Sequence, residues 1–404
     1  MTNTKPTQPR RVDRAEPDLF GQLSDLRQPT AGDVPISQIV SPMVVEGTLY
    51  EPLPDQAVRC FACGHTCTIK PGGRGICQVR YNLGGKLYVP WGYVAALQCD
   101  PIEKKPFNHV YPGTDTLTFG MLGCDLHCSY CQNWDISQAL RDSNAGRPPA
   151  ELTPQDMLTL AKRNHASSVT SSYNEPLITS EWAVDIFKEA KAAGLPCNYV
   201  SNGNATRQVL EFIRPYVDAY KIDLKTMSDK NYRKLGAVLE HVLDGIRMVH
   251  AMGFWLEVVT LVIPGFNDSD DELRDAARFL KALSPDIPWH VTAFHKDYRM
   301  RDPDNTEARA LIHAAEIGKS EGLRYVYAGN MAGRVGPYEH THCPNCGEAL
   351  IKRYGYVILS YQLTPEGTCP HCGTSIAGLW PKSKRDVRIG TPADLFNRLP
   401  RAVR

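Results

Sequence analysis

The chain has 404 residues, and its 45 Lys and Arg residues nearly balance its 44 Asp and Glu residues, giving a formal net charge of +1 at pH 7. Because single hydrophobic cores seldom grow beyond roughly 250–300 residues, this length predicts one large domain with smaller modules beside it. The near-neutral charge excludes a whole-protein field that would attract nucleic acid or an anionic membrane, so binding partners must be inferred from local sites.

The N-terminal segment, residues 1–45, is polar and rich in Pro and Arg. It has too few apolar residues to offset the entropy of ordering, so we expect a disordered tail. It contains no apolar stretch typical of a signal peptide, and the chain has no run of about 18 apolar residues that could span a bilayer. The sequence therefore predicts a cytoplasmic protein without membrane contact.

The second segment, residues 46–112, combines glycines with short β-rich runs, which predicts hairpins and turns. Four cysteines lie in it at the spacing CxxC-x3-C-x9-C. They are Cys60, Cys63, Cys67 and Cys77. Four thiolates can hold either a zinc ion or an auxiliary iron-sulfur cluster that relays electrons, and the spacing leaves both alternatives open.

Residues 113–335 alternate apolar strands with amphipathic helices. Helices are predicted at 180–194, with Ser180 as N-cap, and at 269–283. The order predicts parallel strands joined by right-handed crossovers, with functional residues at the strands' carboxyl ends. The predicted strands are 117–122, 167–173, 197–202, 219–224, 256–263, 289–294 and 324–329. The fold class is therefore α/β, a partial or complete (β/α) barrel flanked by small cysteine-rich metal-binding modules.

Three more cysteines follow the first predicted barrel strand, in the stretch GCDLHCSYCQNW. Cys124, Cys128 and Cys131 form CxxxCxxC, with no fourth cysteine nearby. An iron-sulfur cluster held by only three thiolates leaves one iron with free coordination positions, whereas a closed tetrahedral site needs four ligands. We therefore expect an open, ligand-binding site. The alternative is a three-cysteine zinc site completed by His127 or His109.

The C-terminal segment, residues 336–380, carries two CxxC pairs separated by a hairpin pattern. The pairs are Cys343 with Cys346 and Cys369 with Cys372. This spacing predicts a closed structural zinc ribbon, and the alternative is a rubredoxin-like iron site with the same ligands. Residues 381–404 form a short basic tail, which we expect to be a solvated surface. In a reducing compartment, cysteines grouped in this way favour metal thiolates over disulfides.

The central cysteine motif, with Tyr130 before its last cysteine, resembles the signature of radical S-adenosylmethionine (SAM) enzymes. Its flanks, DPIEKKPFNHVYPGT, SSYNEP, YKIDLK and FHKDYRM, resemble the radical SAM member of the AmmeMemoRadiSam system. That family is related to the activating enzymes of pyruvate formate-lyase. The resemblance covers roughly residues 58–380.

This resemblance implies that the three central cysteines ligate a [4Fe-4S] cluster whose fourth iron is chelated by the amine and carboxylate of SAM. Reductive cleavage would give methionine and a 5′-deoxyadenosyl radical, with electrons from a reductant such as flavodoxin or ferredoxin. The resemblance further suggests hydrogen abstraction from a protein or peptide and Amme-type and Memo-type partners. The alternative substrates are a small metabolite or an RNA base, of which the near-neutral charge disfavours RNA. The alternative class is a non-catalytic iron-sulfur or zinc protein for electron transfer or binding.

The resemblance also assigns SAM contacts to residues near the strand ends. Glu175 would accept a charge-assisted hydrogen bond from the SAM amine, although it also fits a plain strand-to-helix turn. Asp223 and Lys225 would bind the carboxylate and ribose, or pair with each other. The full set is Tyr130, Tyr173, Asn174, Glu175, Ser201, Asn202, Asp223 and Lys225. Tyr173 and Asn174 depart from the family's Gly-Gly, and Tyr130 has core packing as its alternative role. His295 and Asp297 are candidates to face the substrate.

Overall fold

The N-terminal module consists of short strands in the computed structural model of the protein, which describes residues 42–403. The strands are β1 (Val44–Glu46), β2 (Tyr50–Pro52), β3 (Val58–Cys60), β4 (Thr68–Ile69), β5 (Tyr81–Leu83), β6 (Lys86–Pro90) and β7 (Tyr93–Val94). The first six form two three-stranded antiparallel sheets, β1-β6-β5 and β2-β3-β4, whereas β7 pairs with Ala150–Glu151 of the central segment. The predicted tail lies outside the described residues except for its last four positions, of which Val44 and Val45 belong to β1.

The central segment alternates strands and helices as predicted. The strands are β8 (Ala96–Pro101), β9 (Asp115–Gly120), β10 (Ala150–Glu151), β11 (Ser168–Ser171), β12 (Cys197–Ser201), β13 (Ala219–Asp223), β14 (Trp255–Val262), β15 (Trp289–Ala293) and β16 (Val326–Gly329). The helices are α1 (Trp134–Ser137), α2 (Pro154–Arg163), α3 (Ser180–Ala192), α4 (Arg207–Ile213), α5 (Asp229–Leu235), α6 (Leu239–Ala251), α7 (Asp270–Leu283) and α8 (Ala308–Ser320). Each of the seven predicted strands coincides with one of β9 and β11 to β16.

The C-terminal module contains a three-stranded antiparallel sheet. Its strands are β17 (Thr341–His342), β18 (Ala349–Tyr354) and β19 (Val357–Tyr361), and the last strand of the described chain is β20 (Arg401–Ala402). The module packs its apolar residues around Tyr325 and Tyr327, which lie at the start of β16. It is therefore attached to the edge of the central sheet.

The central sheet runs in the order β16-β15-β14-β13-β12-β11-β9-β8-β20. From β9 to β16 all strand pairs are parallel, whereas β8 and β20 are antiparallel to their neighbours. Strands β9, β11 and β15 are buried along their whole length, because helices cover one face and the barrel interior lies on the other. The predicted α/β barrel is confirmed. Among residues 42–403, β16 pairs only with β15, so the barrel is partial.

Helix α3 shows how the local sequence builds the outer layer. Trp182, Ile186 and Phe187 are buried on one side of it, at the spacing expected for an amphipathic helix. Ser180 is its first helical residue rather than the predicted N-cap, because a 3-10 turn, Pro176–Thr179, runs directly into the helix. Of the helices between residues 42 and 403, none is both long and apolar enough to cross a membrane.

Two buried ion-pair groups join the small segments to the barrel. Arg80 of the N-terminal module donates to both carboxylate oxygens of Glu181 in α3, each at 2.8 Å. Asp115, at the start of β9, accepts from Arg388, Arg398 and Arg401. The basic tail was predicted to be a solvated surface, and Arg388 and Arg401 are indeed about half exposed, whereas Arg398 is buried. A buried carboxylate needs cationic partners, and the tail supplies them.

Candidate active site

The carboxyl ends of the parallel strands surround a cavity of about 570 Å³. Strand β13 contributes Lys221 and Asp223 to its wall, and β14 contributes Val259 and Leu261. In each strand these residues are two positions apart, so their side chains point to the same face. The cavity therefore lies inside the open barrel, at the end where parallel α/β sheets hold their ligands.

Three cysteines line this cavity, on the loop that follows β9. Gly123 precedes them at φ +89°, and a Cβ atom there would lie 2.7 Å from Val79 Cγ1, so the turn requires glycine. Cys128 is buried, and Cys124 and Cys131 are partly buried. Burial raises the pKa of the Cys128 thiol to about 12. A bound metal would reverse this shift, because the thiolate is the ligating form.

The spacing of the sulfur atoms separates this loop from a single-ion site. Between residues 42 and 403, only one group of three or more potential metal ligands has all its ligand atoms within 4.8 Å of one another, and it is the C-terminal cysteine quartet. Two sulfurs on one zinc ion lie at most about 4.6 Å apart, because each Zn–S bond is about 2.3 Å long. At least one pair of sulfurs among Cys124, Cys128 and Cys131 is therefore more than 4.8 Å apart, which a single ion cannot span but a multinuclear iron-sulfur cluster can.

Neither histidine considered as a fourth zinc ligand lies with the three cysteines at the cavity wall. His109 is hydrogen-bonded to Tyr327 Oη and to the carbonyl oxygen of Ala377, each at 2.6 Å. The ring of His127 lies so close to Gly236 that a Cβ atom there would be 2.5 Å from it. The structure therefore does not support the alternative of a three-cysteine zinc site completed by a histidine.

The predicted SAM-binding residues converge on the same cavity as the cysteines. All eight are in its wall: Tyr130, Tyr173, Asn174, Glu175, Ser201, Asn202, Asp223 and Lys225. They come from the cysteine loop and from the ends of three neighbouring strands. In the chain these residues are separated by up to 95 positions. His295 and Asp297 line the cavity as well. The structure thus brings together every predicted residue of the central site.

Glu175 is fully buried, and its carboxylate is held by three donors. Oε1 accepts from Ser201 Oγ at 2.7 Å and from Leu177 N at 3.0 Å, while Oε2 accepts from Asn202 N at 2.7 Å. Burial, reinforced by the charge of Asp125, raises the pKa of Glu175 above its ordinary value. Glu175 therefore caps the turn that follows β11, and Oε2 retains capacity for one more donor from the cavity.

Asp223 lies between two lysines. It accepts hydrogen bonds from Lys221 and, at 3.3 Å, from Lys225. Burial opposes ionisation, but the two ammonium groups lower the pKa of Asp223 to about 2. The predicted alternative, in which Asp223 and Lys225 pair with each other, is therefore present in the structure. The pair still lines the cavity, so pairing and ligand binding are compatible.

Two aromatic residues of the predicted set are fixed by specific neighbours. Tyr173 donates its hydroxyl to Asp100 at 2.5 Å, and Lys105 Nζ lies 4.1 Å from its ring centroid. Tyr130 packs edge-on against Phe266, with ring centroids 6.0 Å apart. Both rings therefore contribute to packing, and both also face the cavity.

The sequence reasoning missed three charged residues in or beside this site. Lys105 and Lys221 line the cavity while almost fully buried, and Asp100 binds Lys105 at 2.5 Å. Burial lowers the pKa of Lys105 to about 8, although Asp100 opposes the shift. These residues lie in the stretches DPIEKK and YKIDLK, which supported the family resemblance but had no role assigned to these positions. A charged residue inside a predicted buried strand was the signal that could have identified them.

Asp125 was also missed, although it stands inside the cysteine motif. It is completely buried and accepts from Asn202 Nδ2 at 2.7 Å and from Asn204 Nδ2 at 2.9 Å. A carboxylate next to a cysteine in a predicted strand-end loop was the signal that could have identified it. Asp125 ties the cysteine loop to the end of β12.

The loop after β15 covers the cysteine loop. The backbone N–H groups of Arg299 and Met300 both donate to the carbonyl oxygen of Ser129, at 2.9 and 2.8 Å. Trp134 and Tyr298 stack with ring centroids 5.2 Å apart. The loop that carries His295 and Asp297 is thus anchored directly on the CxxxCxxC segment.

The C-terminal quartet is a candidate mononuclear metal site. The sulfur atoms of Cys343 and Cys372 are 3.5 Å apart, and those of Cys346 and Cys369 are 3.7 Å apart. These separations match two sulfurs on one tetrahedral ion. His371, inside the second CxxC, is about half exposed and points toward Glu348 at 4.0 Å, so it stands outside the ligand set.

These features define a class of enzyme: an open, parallel β/α barrel whose first parallel strand leads into a three-cysteine site. The family profile described as the Radical SAM superfamily matches residues 119–280. An uncharacterized protein of Methanocaldococcus jannaschii is 37% identical over 334 residues, covering 82% of this chain and 98% of that protein. The pyruvate formate-lyase-activating enzyme of Staphylococcus aureus is 27% identical over 200 residues, covering 46% of this chain and 78% of that enzyme.

Two solved structures align with this chain at 21% sequence identity or less. A radical SAM methyltransferase from Sphaerobacter thermophilus aligns with a TM-score of 0.42 and 14% identity, covering 71% of this chain and 78% of that chain. A domain of pyruvate-formate lyase-activating enzyme from Bacteroides vulgatus aligns with a TM-score of 0.37 and 21% identity, covering 41% of this chain and all of that one.

The chain belongs to the radical SAM superfamily and is an enzyme with similarity to pyruvate formate-lyase-activating enzymes. Membership implies SAM and an iron-sulfur cluster as cofactors. The three cysteines, with their wide sulfur spacing and their place in the cavity wall, fit such a cluster.

Proposed function

We propose that the enzyme reductively cleaves SAM at a [4Fe-4S] cluster held by Cys124, Cys128 and Cys131 and abstracts a hydrogen atom from a further substrate. The observation that carries this proposal is the convergence of three cysteines and all eight predicted SAM-binding residues on one cavity. When bound there, the cluster and SAM supply an electron, a sulfonium group and, after cleavage, a 5′-deoxyadenosyl radical. A non-catalytic role would leave this convergence without a purpose.

The residues of the chain would bind and orient SAM. Glu175, held by Ser201 and the backbone of Asn202, offers Oε2 to the SAM ammonium, and that cation would return the carboxyl group to its ionised form. Asp223 and Lys225 offer opposite charges to the ribose and the carboxylate. Tyr130 would present a ring face to the adenine, and Tyr173 and Asn174 would contribute contacts from the end of β11.

The flanking modules would have separate roles. We assign 46–112 to an N-terminal four-cysteine module that binds zinc or an auxiliary cluster, 113–335 to the catalytic core, and 336–380 to a zinc ribbon on Cys343, Cys346, Cys369 and Cys372. The match between the sulfur distances of that last quartet and a tetrahedral ion supports zinc there. The reducing conditions that thiolate ligands need, and a reductant such as flavodoxin or ferredoxin, support a cytoplasmic location.

The substrate in this proposal is a protein or peptide, and the enzyme acts within the AmmeMemoRadiSam system with Amme-type and Memo-type partners. Similarity to pyruvate formate-lyase-activating enzymes supports a macromolecular substrate. So does a second cavity of about 330 Å³, which shares Lys104, Gln132, Asn133 and Tyr173 with the first. A substrate extending through this side cavity would reach the SAM-binding region from the outside.

Cleavage of SAM by anaerobically reconstituted protein tests the chemistry. We expect an iron-sulfur absorption shoulder and release of 5′-deoxyadenosine after dithionite reduction. Cys124→Ala should abolish the release, whereas Cys197→Ala, a buried cysteine outside all three groups, should not. Equal release by wild type and Cys124→Ala would contradict the proposal.

Turnover with candidate partners tests the substrate. The reduced enzyme would be incubated with SAM and either the Amme-type or the Memo-type protein, and both the 5′-deoxyadenosine and the partner's mass would be measured. A changed mass accompanied by faster SAM cleavage is the expected result. No change in mass or turnover with either protein would exclude these two as substrates.

A further inference from the structure

The N-terminal cysteine group lies directly against the cysteine loop of the barrel. Cys63 and Cys77 pack in one buried cluster with Val79 and Ile178. A Cβ atom at Gly123 would lie 2.9 Å from the carbonyl oxygen of Cys77. Because Gly123 immediately precedes the first cysteine of the barrel loop, the backbones of the two cysteine-bearing loops are in contact.

A single side chain also joins the two loops. The guanidinium of Arg141 donates to the carbonyl oxygen of Ile76 and, at 2.7 Å, to that of Leu126. Ile76 precedes Cys77 in the N-terminal group, and Leu126 lies inside the CxxxCxxC motif. The relative position of the two cysteine groups is therefore fixed by hydrogen bonds as well as by packing.

Asp125 lies between the two groups. His65, in the N-terminal group's loop, places Nε2 at 3.2 Å from the Asp125 carbonyl oxygen. Asp125 directly follows Cys124 in the chain, so this contact also joins the two cysteine-bearing loops.

The N-terminal sulfurs are spaced differently from those of the C-terminal quartet. The C-terminal quartet is compact enough for one ion, but in the described part of the chain no three of Cys60, Cys63, Cys67 and Cys77 have sulfurs within 4.8 Å of one another. Sulfurs that share a zinc ion lie within about 4.6 Å. As in the Cys124 loop, any three of these four cysteines therefore include a sulfur pair more than 4.8 Å apart, which a multinuclear cluster can accommodate.

We propose that Cys60, Cys63, Cys67 and Cys77 hold a second iron-sulfur cluster that passes single electrons to the cluster on the barrel loop. The inference rests on the proposed function, because it takes the barrel cluster as the electron acceptor. It decides between the two alternatives, zinc and an auxiliary cluster, that the cysteine spacing in the sequence left open.

The exposure of the four ligands gives the electron a direction. Cys60, Cys63 and Cys77 are buried, whereas Cys67 is partly exposed. An external one-electron carrier would reduce the second cluster near Cys67. The reduced cluster then loses one electron across the Cys77 and Gly123 contact, the barrel cluster gains it, and the carrier restores the starting state.

Metal content decides between a cluster and zinc without reference to activity. Iron, acid-labile sulfide and zinc would be counted per chain in anaerobically purified full-length protein, with Mössbauer spectra of the iron. We expect about eight irons in wild type and about four in Cys124→Ala/Cys128→Ala/Cys131→Ala, since a [4Fe-4S] cluster would remain on the N-terminal cysteines. A triple variant that contains zinc, or no metal, at those cysteines overturns the proposal.

The relay is tested with two reductants. Cys63→Ala/Cys67→Ala should slow flavodoxin-driven 5′-deoxyadenosine release by about tenfold or more while dithionite, which reaches the barrel cluster directly, still supports it. Equal rates with flavodoxin would exclude the relay. Circular dichroism of Cys63→Ala/Cys67→Ala checks that this variant folds. If it does not fold, the metal content of the Cys124→Ala/Cys128→Ala/Cys131→Ala variant, whose N-terminal ligands are intact, still tests the proposal. If the wild-type protein contained two clusters but released no 5′-deoxyadenosine, the proposed function would be contradicted and the second cluster would not.

Discussion

Buried charges are the residues on which this site depends. Lys105 and Lys221 face the cavity, and each has its own carboxylate, Asp100 and Asp223. Burying an ion is costly unless a partner and hydrogen bonds compensate, so such residues mark positions where charge is needed. Their pKa values are both lowered, first by burial. The barrel interior therefore holds ammonium groups that lose a proton at lower pH than exposed lysines do.

The amine of Lys105 should become reactive at a lower pH than that of an exposed lysine. Acetic anhydride modifies only the free amine, and the pKa of Lys105 is lowered to about 8 by burial, whereas a hydrogen bond to Asp185 raises the pKa of Lys188 above its ordinary value. Trace labelling between pH 6 and 11, read by mass spectrometry, should show Lys105 acetylation rising through about pH 8 and Lys188 acetylation rising later. A shared midpoint would contradict the buried amine.

Asp125→Asn should make the iron-sulfur sites easier to reduce. The substitution keeps the shape of the side chain but removes a buried negative charge beside the cysteine loop, and cluster potentials depend on nearby charge. Redox titration followed by electron paramagnetic resonance should show more positive midpoint potentials. Asp135→Asn is the control, because that carboxylate is partly exposed and already paired with Arg147. Identical shifts in the two variants would argue against a specific role for Asp125.

At the scale of elements, the C-terminal tail is held by strand β8, which is far from it in the sequence and meets it only in the folded protein. Strand β20 pairs with β8, and the arginines around it converge on Asp115 of β9. Arg398 also contacts Glu103 at 3.5 Å. The outer edge of β8, which would otherwise expose unpaired backbone groups, is thereby partly covered.

Asp115→Asn should destabilise the fold substantially. Removing one partner from a buried ion-pair group typically costs about 3–5 kcal/mol. The comparison is Arg309→Met, since Arg309 and Glu307 form an exposed pair for which roughly 0–1 kcal/mol is expected. Urea unfolding of both variants measures the difference, and similar losses would show that the tail is not held by Asp115.

At the scale of the whole molecule, two cysteine-rich modules flank one catalytic barrel and contact it at different places. The N-terminal module lies against the cysteine loop, whereas the C-terminal module lies beside β16, where His109 links Tyr327 to the chain segment at Ala377. Their positions agree with different tasks. With the proposed second cluster, the first module would pass electrons to the active site, whereas the second packs against the edge strand of the partial barrel.

Cys343→Ser should therefore reduce stability without removing iron. In the proposed zinc site, loss of one ligand would remove metal-coupled folding energy, and the edge of β16 would lose its cover. Thermal unfolding and metal analysis should show a lower melting temperature, one zinc fewer per chain and unchanged iron. His371→Ala, at an exposed position, should behave as wild type. Iron loss in Cys343→Ser would mean that the modules are coupled.

Local patterns in the sequence were enough for the order of the elements and for the three-cysteine loop, whereas the candidate SAM-binding residues were assigned by the resemblance to a known family. Strands β9 and β11 to β16 follow from alternating apolar runs and amphipathic helices, and a three-cysteine loop after the first of them follows from CxxxCxxC. A parallel arrangement places the carboxyl ends of such strands at one edge, so the predicted residues could be expected to meet.

The tertiary structure alone decided how distant segments meet. In the described chain, β16 does not pair with β8, Asp115 binds three arginines of the tail, and Cys77 lies against Gly123. These features depend on how residues 40 or more positions apart in the chain meet. Spacing within a motif reports ligand count, but the distances between sulfurs depend on how the loops pack. The sequence therefore named the candidate residues for binding metal and SAM, and packing decided that only the C-terminal quartet, within residues 42–403, brings its sulfurs within 4.8 Å of one another.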